Sequence, residues 1–505
     1  MITKGDIVEI EITDISERAQ GIGKFEGFVI FVKGALPGQR VKVKLEKVKS
    51  NYALATLTEV VSKSDFQIPA ICPHSECGGC TYKELSYKAE LELKRRQVME
   101  KLHRLAGLRT DTAFEILGMK KPLNYRNKAQ FQIGIVAPKK SGQKFLRAEP
   151  IVGFYRQSSH DIINCERCVL QKKVALQIAK VVQNFIKFEN LSVYNDLSKK
   201  GLFKNLIVKV AENTGEVMVI LVTTASSVPN VEKLIQMLDE TVENAPNENA
   251  DTPFYLESVI LSISDKHSTA NIGKVNKVIA GKPAISEKLG DLRFEISASA
   301  FYQVNPSQTL KLYEKVLEFA NLKPTDNILD LYCGVGTIGL FCAKNIAKQA
   351  ELEGLSASEC GKVIGVESEK SAVIDANRNA AINGITNAYF ICGKAESTLE
   401  NILSGYTDKY GFEMPPFSPD LLILDPPRSG CDSALLGTIY KLAPKKLIYV
   451  SCEVATLARD LKFLFNAGYS LQKGCIVDMF PRTSKTEVIV GLETLSKNYK
   501  PLAKS

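Results

Sequence analysis

Residues 327–340, NILDLYCGVGTIGL, decide how the chain is read. Ile328, Leu329 and Leu331 make a short apolar strand. Gly334, Gly336 and Gly339 then form G-x-G-x-x-G, a turn tight enough to bring backbone against a ligand and to open a helix. Alone, this pattern serves dinucleotide, flavin and S-adenosylmethionine folds alike. Working outward, residues 309–322, TLKLYEKVLEFANL, have helical periodicity. GKVIGVES (361–368), PDLLILDPP (419–427) and PKKLIYVSC (444–452) read as buried strands. Strands alternating with helices over 305–497 predict a parallel, doubly wound sheet.

The second strand ends in Gly365-Val366-Glu367, where an acid can accept hydrogen bonds from both hydroxyls of a ribose. It lies farther downstream than the roughly 20 residues of the dinucleotide fingerprint. The polar stretch 350–361 accounts for the excess as a local insertion. Asp425-Pro426-Pro427-Arg428, at the end of another strand, separates the alternatives. It resembles the [DN]-P-P motif of amino- and base-methyltransferases, and a dehydrogenase has no use for it. By itself, Asp425 also reads as a turn-initiating Asp before Pro.

Cys452 follows a buried strand and precedes an amphipathic helix running to about Phe465. A thiol at a helix N-terminus feels the positive end of the dipole, which predicts a lowered pKa. On position alone, a buried structural cysteine is the better fit. Beside a methyl-donor fold the thiol gains a chemical role. Uracil C5 is a poor nucleophile, but a thiolate adding to C6 converts the ring to an enolate whose C5 can attack a sulfonium methyl. A base must then remove the C5 proton. Glu487, in MFPRTSKTEVIV, is the candidate; otherwise it is an exposed strand acid.

The N-terminal half has a different texture. Residues 1–61 alternate with period two between Gly and Pro turns, which predicts a small antiparallel barrel. Residues 33–49 hold six basic residues and one acidic one. They fit either an oligonucleotide-binding surface or an edge strand protected by lysines. Residues 82–107 read as a helix stopping at Gly107. Residues 116–148 carry eight basic residues and no acidic one, with Tyr125, Phe131 and Phe145 interleaved. Cations for phosphates and aromatics for bases predict an RNA-binding surface. Residues 150–285 read as strands joined by turns. Cys72-x4-Cys77-x2-Cys80 has metal-ligand spacing, suited to zinc or an iron–sulfur cluster, and spacing does not separate them. Cys342 and Cys392 read as small core residues.

The whole chain has 505 residues, 45% hydrophobic and 24% charged, with a net charge of +9. This composition excludes disorder as the main state. At roughly 150 residues per domain, the length predicts about three domains. No apolar run reaches the roughly 18 residues of a membrane span. The start, MITKGDIVEIEI, has no apolar signal core, so a cytoplasmic protein with reduced cysteines is expected.

CPHSECGGC, NYRNKAQFQIG, FYQVNP, DLYCGVGTIGL, GVE, NAAINGI, DPPRSG, SCEVATLARDL and FPRTSKTE together give almost the whole chain a resemblance to the bacterial RNA (uracil-C5)-methyltransferases, most closely the 23S ribosomal RNA branch. The resemblance implies Cys452 as nucleophile and Glu487 as proton acceptor. It assigns Gln303, Tyr332, Glu367 and Asp425 to S-adenosylmethionine, and makes residues 1–61 a TRAM-like RNA-binding barrel. It implies a [4Fe–4S] cluster on Cys72, Cys77, Cys80 and Cys168, with Cys165 a competitor for the last place. Methyl transfer needs no electron, so the cluster's expected role is structural. The expected architecture is α/β multidomain: the barrel at 1–61, a central α+β domain with the cluster and a basic surface at 62–290, and a Rossmann-like methyltransferase domain at 291–497. The helix at 82–107 is expected to pack on the last. The expected partner is 23S ribosomal RNA, and the expected state a monomer.

The chain departs from the family in three places. The family's S-C-N-P or S-C-D-P is here Ser451-Cys452-Glu453-Val454. The family often has a His between its F-P and its Glu, where this chain has Arg482 and Lys485. Five residues often separate the first two cluster cysteines; here there are four. Three rival readings remain. A transfer-RNA substrate is disfavoured because the shorter bacterial transfer-RNA enzymes lack both barrel and cysteine cluster. A radical S-adenosylmethionine enzyme would need C-x3-C-x2-C. A non-catalytic RNA-binding protein would not need both Cys452 and Glu487.

Overall fold

The computed structural model describes residues 2–136, 149–248, 251–265, 267–268, 270–407 and 413–494. Five strands form the first unit: β1 (Ile7–Ile15), β2 (Gln20–Phe25), β3 (Phe28–Lys33), β4 (Arg40–Val48) and β5 (Tyr52–Ser62). Their alternation turns Ile10, Ile12, Ile30, Val41, Val43 and Leu45 into one interior. Strand order β1-β2-β3-β5-β4 closes the barrel, so it presents no open edge. Part of the positive stripe is neutralised on the surface, where Arg40 pairs with Glu9 and Lys42 with Glu59.

A loop carrying the three clustered cysteines leads to α1 (Tyr87–Lys101), whose N-cap is Ser86. The helix continues as one π-helical stretch, Leu102–Ala106, and stops at Gly107 as expected. After it comes a short strand, β6 (Glu115–Leu117).

The central sheet contains β7 (Lys128–Val136), β8 (Glu149–Tyr155), β9 (Ile162–Asn164), β10 (Phe203–Val210), β11 (Glu216–Thr223), β12 (Tyr255–Ile263) and β13 (Val275–Gly281). Their order is β13-β12-β11-β10-β7-β8-β9. Helices α2 (Lys173–Phe188) and α3 (Val231–Glu243) cover one face with Ile178, Val182, Phe185, Leu234 and Leu238. On the other face Ile207, Met218, Ile220 and Ile260 share a continuous core with the C-terminal unit. Burial on both faces explains why β11 is apolar along nearly its whole length instead of alternating.

Tyr125 and Phe131 depart from the expected stacking role. Phe131 lies in the core under α2, and Tyr125 is buried with its hydroxyl donating to the Pro481 carbonyl. Their spacing in β7 and before it serves packing, and Phe145 lies outside the described residues. Lys120 and Lys121 are exposed.

The third unit opens with the hairpin β14 (Ala284–Leu289) and β15 (Leu292–Ser297), which the expected boundary between 290 and 291 would divide at its turn. Then follow α4 (Pro306–Ala320), β16 (Ile328–Leu331), α5 (Thr337–Leu352), β17 (Val363–Glu367), α6 (Lys370–Ile382), β18 (Ala388–Cys392) and α7 (Ala395–Ser404). A two-stranded pair, β19 (Tyr406–Thr407) and β20 (Glu413–Met414), precedes β21 (Leu421–Leu424), α8 (Ser433–Leu442), β22 (Lys446–Ser451), α9 (Val454–Asn466), β23 (Tyr469–Val477) and β24 (Glu487–Thr494). The sheet order is β18-β17-β16-β21-β22-β24-β23-β6. Its first five strands are parallel, and β24 runs antiparallel between β22 and β23. Strand β6, from far upstream, completes the edge beside β23. Cys342 is a core residue as expected, but Cys392, the last residue of the edge strand β18, is exposed.

Candidate active site

The strand order reverses between β16 and β21, and in open α/β sheets ligands bind at such a point. Beyond β16 the chain turns sharply. Tyr332, Gly334 and Gly336 all have positive φ, at 65°, 57° and 80°. A side chain at Gly336 would meet the Phe390 ring at 2.6 Å, whereas the Cβ position at Gly334 faces open space. Asp330 anchors the turn by accepting the Gly339 N–H at 3.0 Å. Burial pushes its carboxyl up to about 8. At the end of β17, Glu367 accepts the Gly334 N–H at 3.1 Å and the Glu369 N–H at 2.8 Å. A cleft of about 760 Å³ opens here, lined by Tyr332, Val366, Ser368, Lys394, Pro427 and Asp432 among others. Open space at Gly334 beside a carboxylate and a wide cleft fits a nucleoside-bearing cofactor.

Asp425 stands just past β21, its N–H donating to the Leu331 carbonyl at 3.3 Å. Burial pushes its carboxyl up to about 7. The D-P-P-R turn is fastened from α9. Thr456 donates to the Arg428 carbonyl at 3.1 Å, and Arg459 donates to the carbonyls of Ser429 and Cys431.

Cys452 and Glu487 are brought together by register. In the antiparallel pair β22–β24, Ser451 lies opposite Val488. The next residues along, Cys452 and Glu487, therefore face each other at the end of the ladder. Glu487 is buried and Cys452 is partly exposed. Burial and then Asp425 hold the Glu487 carboxyl well above the usual carboxylate range, and Arg428 opposes them. Burial, Glu487 and Asp425 push the Cys452 thiol up to about 11, again against Arg428. The lowering expected from the helix dipole is thus overturned: burial and two carboxylates outweigh the N-terminus of α9.

Gln303 lies between β15 and α4, its carbonyl accepting from the Asn127 side chain at 2.9 Å. Three neighbours were missed by the sequence reading: Asp330, Arg428 and Tyr313. The Tyr313 hydroxyl is 2.7 Å from Thr337 Oγ1 and feels the charges of Asp425, Asp330 and Glu487. A buried Asp closing a strand before a glycine turn was the one available signal.

The loop that delivers Glu487 is gripped from three sides. Lys94 of α1 donates to Asp478 at 2.6 Å, to Glu90 at 2.8 Å and to the Phe480 carbonyl. Arg482 donates its N–H to Glu90 at 2.6 Å, and Tyr87 donates to Asp478. Gln308 and Asn305 at the start of α4 bond the carbonyls of Asp478 and Met479. Thr81 and Tyr82, following Cys80, donate to the Arg482 carbonyl.

Burial first, and then the mutual charges of Cys72, Cys77, Cys80 and Cys168, raise the Cys77 and Cys80 thiols. Lys83 closes the loop by donating to the carbonyls of His74, Ser75 and Cys77. Among the described residues, however, no group of three or more His, Cys, Asp and Glu side chains could hold a metal ion as it stands. Cys165 hydrogen-bonds Cys168; that bond and then burial hold its thiol well above the ordinary range, and the same bond pulls Cys168 down to about 6.

A glycine turn at the switch point, an acid at the end of the next strand and an antiparallel strand inserted near the sheet edge define a class I S-adenosylmethionine-dependent methyltransferase. The model of the tRNA (Uracil-5-)-methyltransferase family matches residues 271–495, and that of the TRAM domain matches residues 2–58. The chain belongs to the RNA (uracil-C5)-methyltransferase family. It is 38% identical to an uncharacterized RNA methyltransferase of Caldanaerobacter subterraneus subsp. tengcongensis, over 97% of this chain and 99% of that one. It is 35% identical to an uncharacterized RNA methyltransferase of Bacillus cereus, over 98% of each. Among solved structures, the Pyrococcus abyssi tRNA (uracil-54, C5)-methyltransferase in complex with S-adenosyl-L-homocysteine matches with a TM-score of 0.70 and 25% identity. That match covers 96% of this chain and 100% of that one. Among the described residues no helix is long and apolar enough to cross a membrane.

Proposed function

We propose that this enzyme methylates C5 of a specific uridine in 23S ribosomal RNA through a covalent adduct between Cys452 and uracil C6. The observation that carries the reading is the placing of Cys452 opposite Glu487 at the open end of β22–β24, within charge reach of Asp425. S-adenosylmethionine supplies an electrophilic methyl. Gln303, Tyr332, Glu367 and Asp425 bind it. The Cys452 thiol gives its proton to water, the thiolate adds to C6, and C5 takes the methyl as S-adenosylhomocysteine departs. Glu487 then accepts the C5 proton, the ring regains its double bond, and the thiolate leaves. A proton acceptor buried beside the nucleophile is shielded from water, so it takes its proton from the ring.

Cys72, Cys77, Cys80 and Cys168 are proposed to hold a [4Fe–4S] cluster as a structural crosslink between their two loops. The support is an all-thiol donor set in mutual charge contact. Iron and acid-labile sulfide analysis of purified protein tests it, with zinc as the opposing outcome. The division at 1–61, 62–290 and 291–497, with the chain acting as a cytoplasmic monomer, completes the proposal.

A transfer-RNA substrate is the second reading, favoured by the solved transfer-RNA enzyme that covers nearly the whole chain. Incubation with labelled S-adenosylmethionine and both unmodified RNAs, followed by mass mapping, decides. m5U in 23S RNA supports the first reading; m5U only in transfer RNA replaces the substrate and keeps the chemistry.

A further inference from the structure

The two departures that flank the reacting pair meet in space. Lys485 Nζ lies 3.3 Å from Glu453 Oε2 and 3.2 Å from Glu17 Oε2. Glu453 directly follows Cys452, and Lys485 stands two residues before Glu487. Building on the roles given above to Cys452 and Glu487, we propose that Lys485 is a positioning residue. It clamps the nucleophile turn to the base-bearing strand and ties both to the barrel.

Three observations support this. The β22–β24 ladder ends at Ser451 and Val488, so the Glu453–Lys485 pair closes the splayed end just beyond the reacting residues. Glu453 is the N-cap residue of α9, but its side chain makes no capping bond, which leaves its carboxylate to Lys485. The third partner, Glu17, sits on the turn between β1 and β2, with Lys101 of α1 at 3.8 Å from its other oxygen. Side-chain exposure is 23% for Glu453 and 30% for Lys485 against 56% for Glu17. The inner pair is better shielded from solvent and salt than the outer one.

The test is the single-turnover rate of adduct formation with 5-fluorouridine RNA and S-adenosylmethionine, measured beside RNA affinity and thermal melting. Lys485→Met is expected to slow the adduct by about tenfold with RNA affinity nearly unchanged. Lys485→Arg restores the rate. The swap of Glu453→Lys with Lys485→Glu recovers most of what either reversal alone loses, which a variant that merely misfolds would not do. Glu17→Gln slows the adduct less than Lys485→Met. A wild-type rate in Lys485→Met overturns the clamp, as does a loss confined to RNA affinity, which would make Lys485 a phosphate contact. No adduct in the wild-type protein would instead sink the covalent reading, and the clamp with it.

Discussion

Cys452, the proposed nucleophile, rests as a protonated thiol. Its thiol is pushed up to about 11, and its partner Glu487 is held well above the ordinary carboxylate range. Rising pH increases the thiolate, so adduct formation should climb with pH toward about 11, and a flat single-turnover profile would contradict the assignment. Arg428 pulls both groups down. Arg428→Met should move the profile to higher pH by about one unit. Cys452→Ser should cost at least about a thousandfold in turnover, since an alcohol is barely ionised. Glu487→Gln should let a protein–RNA adduct accumulate, seen as a slow-migrating band on denaturing gels. The motif made Cys452 legible, but not its resting state, which depends on carboxylates brought in by two other strands.

At the scale of elements, α1 and the loop after β23 form the frame of the site. Glu90, Asp478, Lys94 and Arg482 make a buried, charge-balanced set. Removing one member of a buried pair costs about 3–5 kcal/mol. Lys94→Met should lower Tm by several degrees and lower kcat, and calorimetry beside an activity assay checks both. Asp330 offers the opposite case. One of its oxygens lacks a partner, and the folded carboxyl titrates at about 8, above its ordinary 3.8. The folded state then binds the extra proton, so Asp330 weakens the fold as pH rises from about 4 to 8. Asp330→Asn should raise the Tm of the cofactor-free protein, with a gain that grows over that range. Periodicity made these strands and helices readable. It did not show that β24 folds back between β22 and β23, which is what sets Cys452 against Glu487. Nor did it separate aromatics for stacking from aromatics for packing: Tyr125 and Phe131 alternate with polar residues because they line a core.

Across the whole molecule, a net +9 is spread over a barrel, exposed lysines ahead of β7, and paired surface charges. If that excess holds phosphates, raising salt from about 50 to 200 mM should weaken RNA binding at least about tenfold. A salt-independent affinity would remove the electrostatic footprint. The three-unit plan was legible because composition changes along the chain. The packing of α1 on the third unit was expected; the insertion of β6 was not, because it looks local and pairs near the far end of the chain. That arrangement has a consequence in time. Glu115 of β6 pairs with Cys475, about 360 residues later. At roughly 5–20 residues per second, a ribosome needs about 20–70 s to supply that partner. Throughout this interval the nascent chain carries a helix and a strand whose docking face has not yet been made. Synthesis of this enzyme therefore includes a waiting period, and chaperone demand should peak before its last strands emerge.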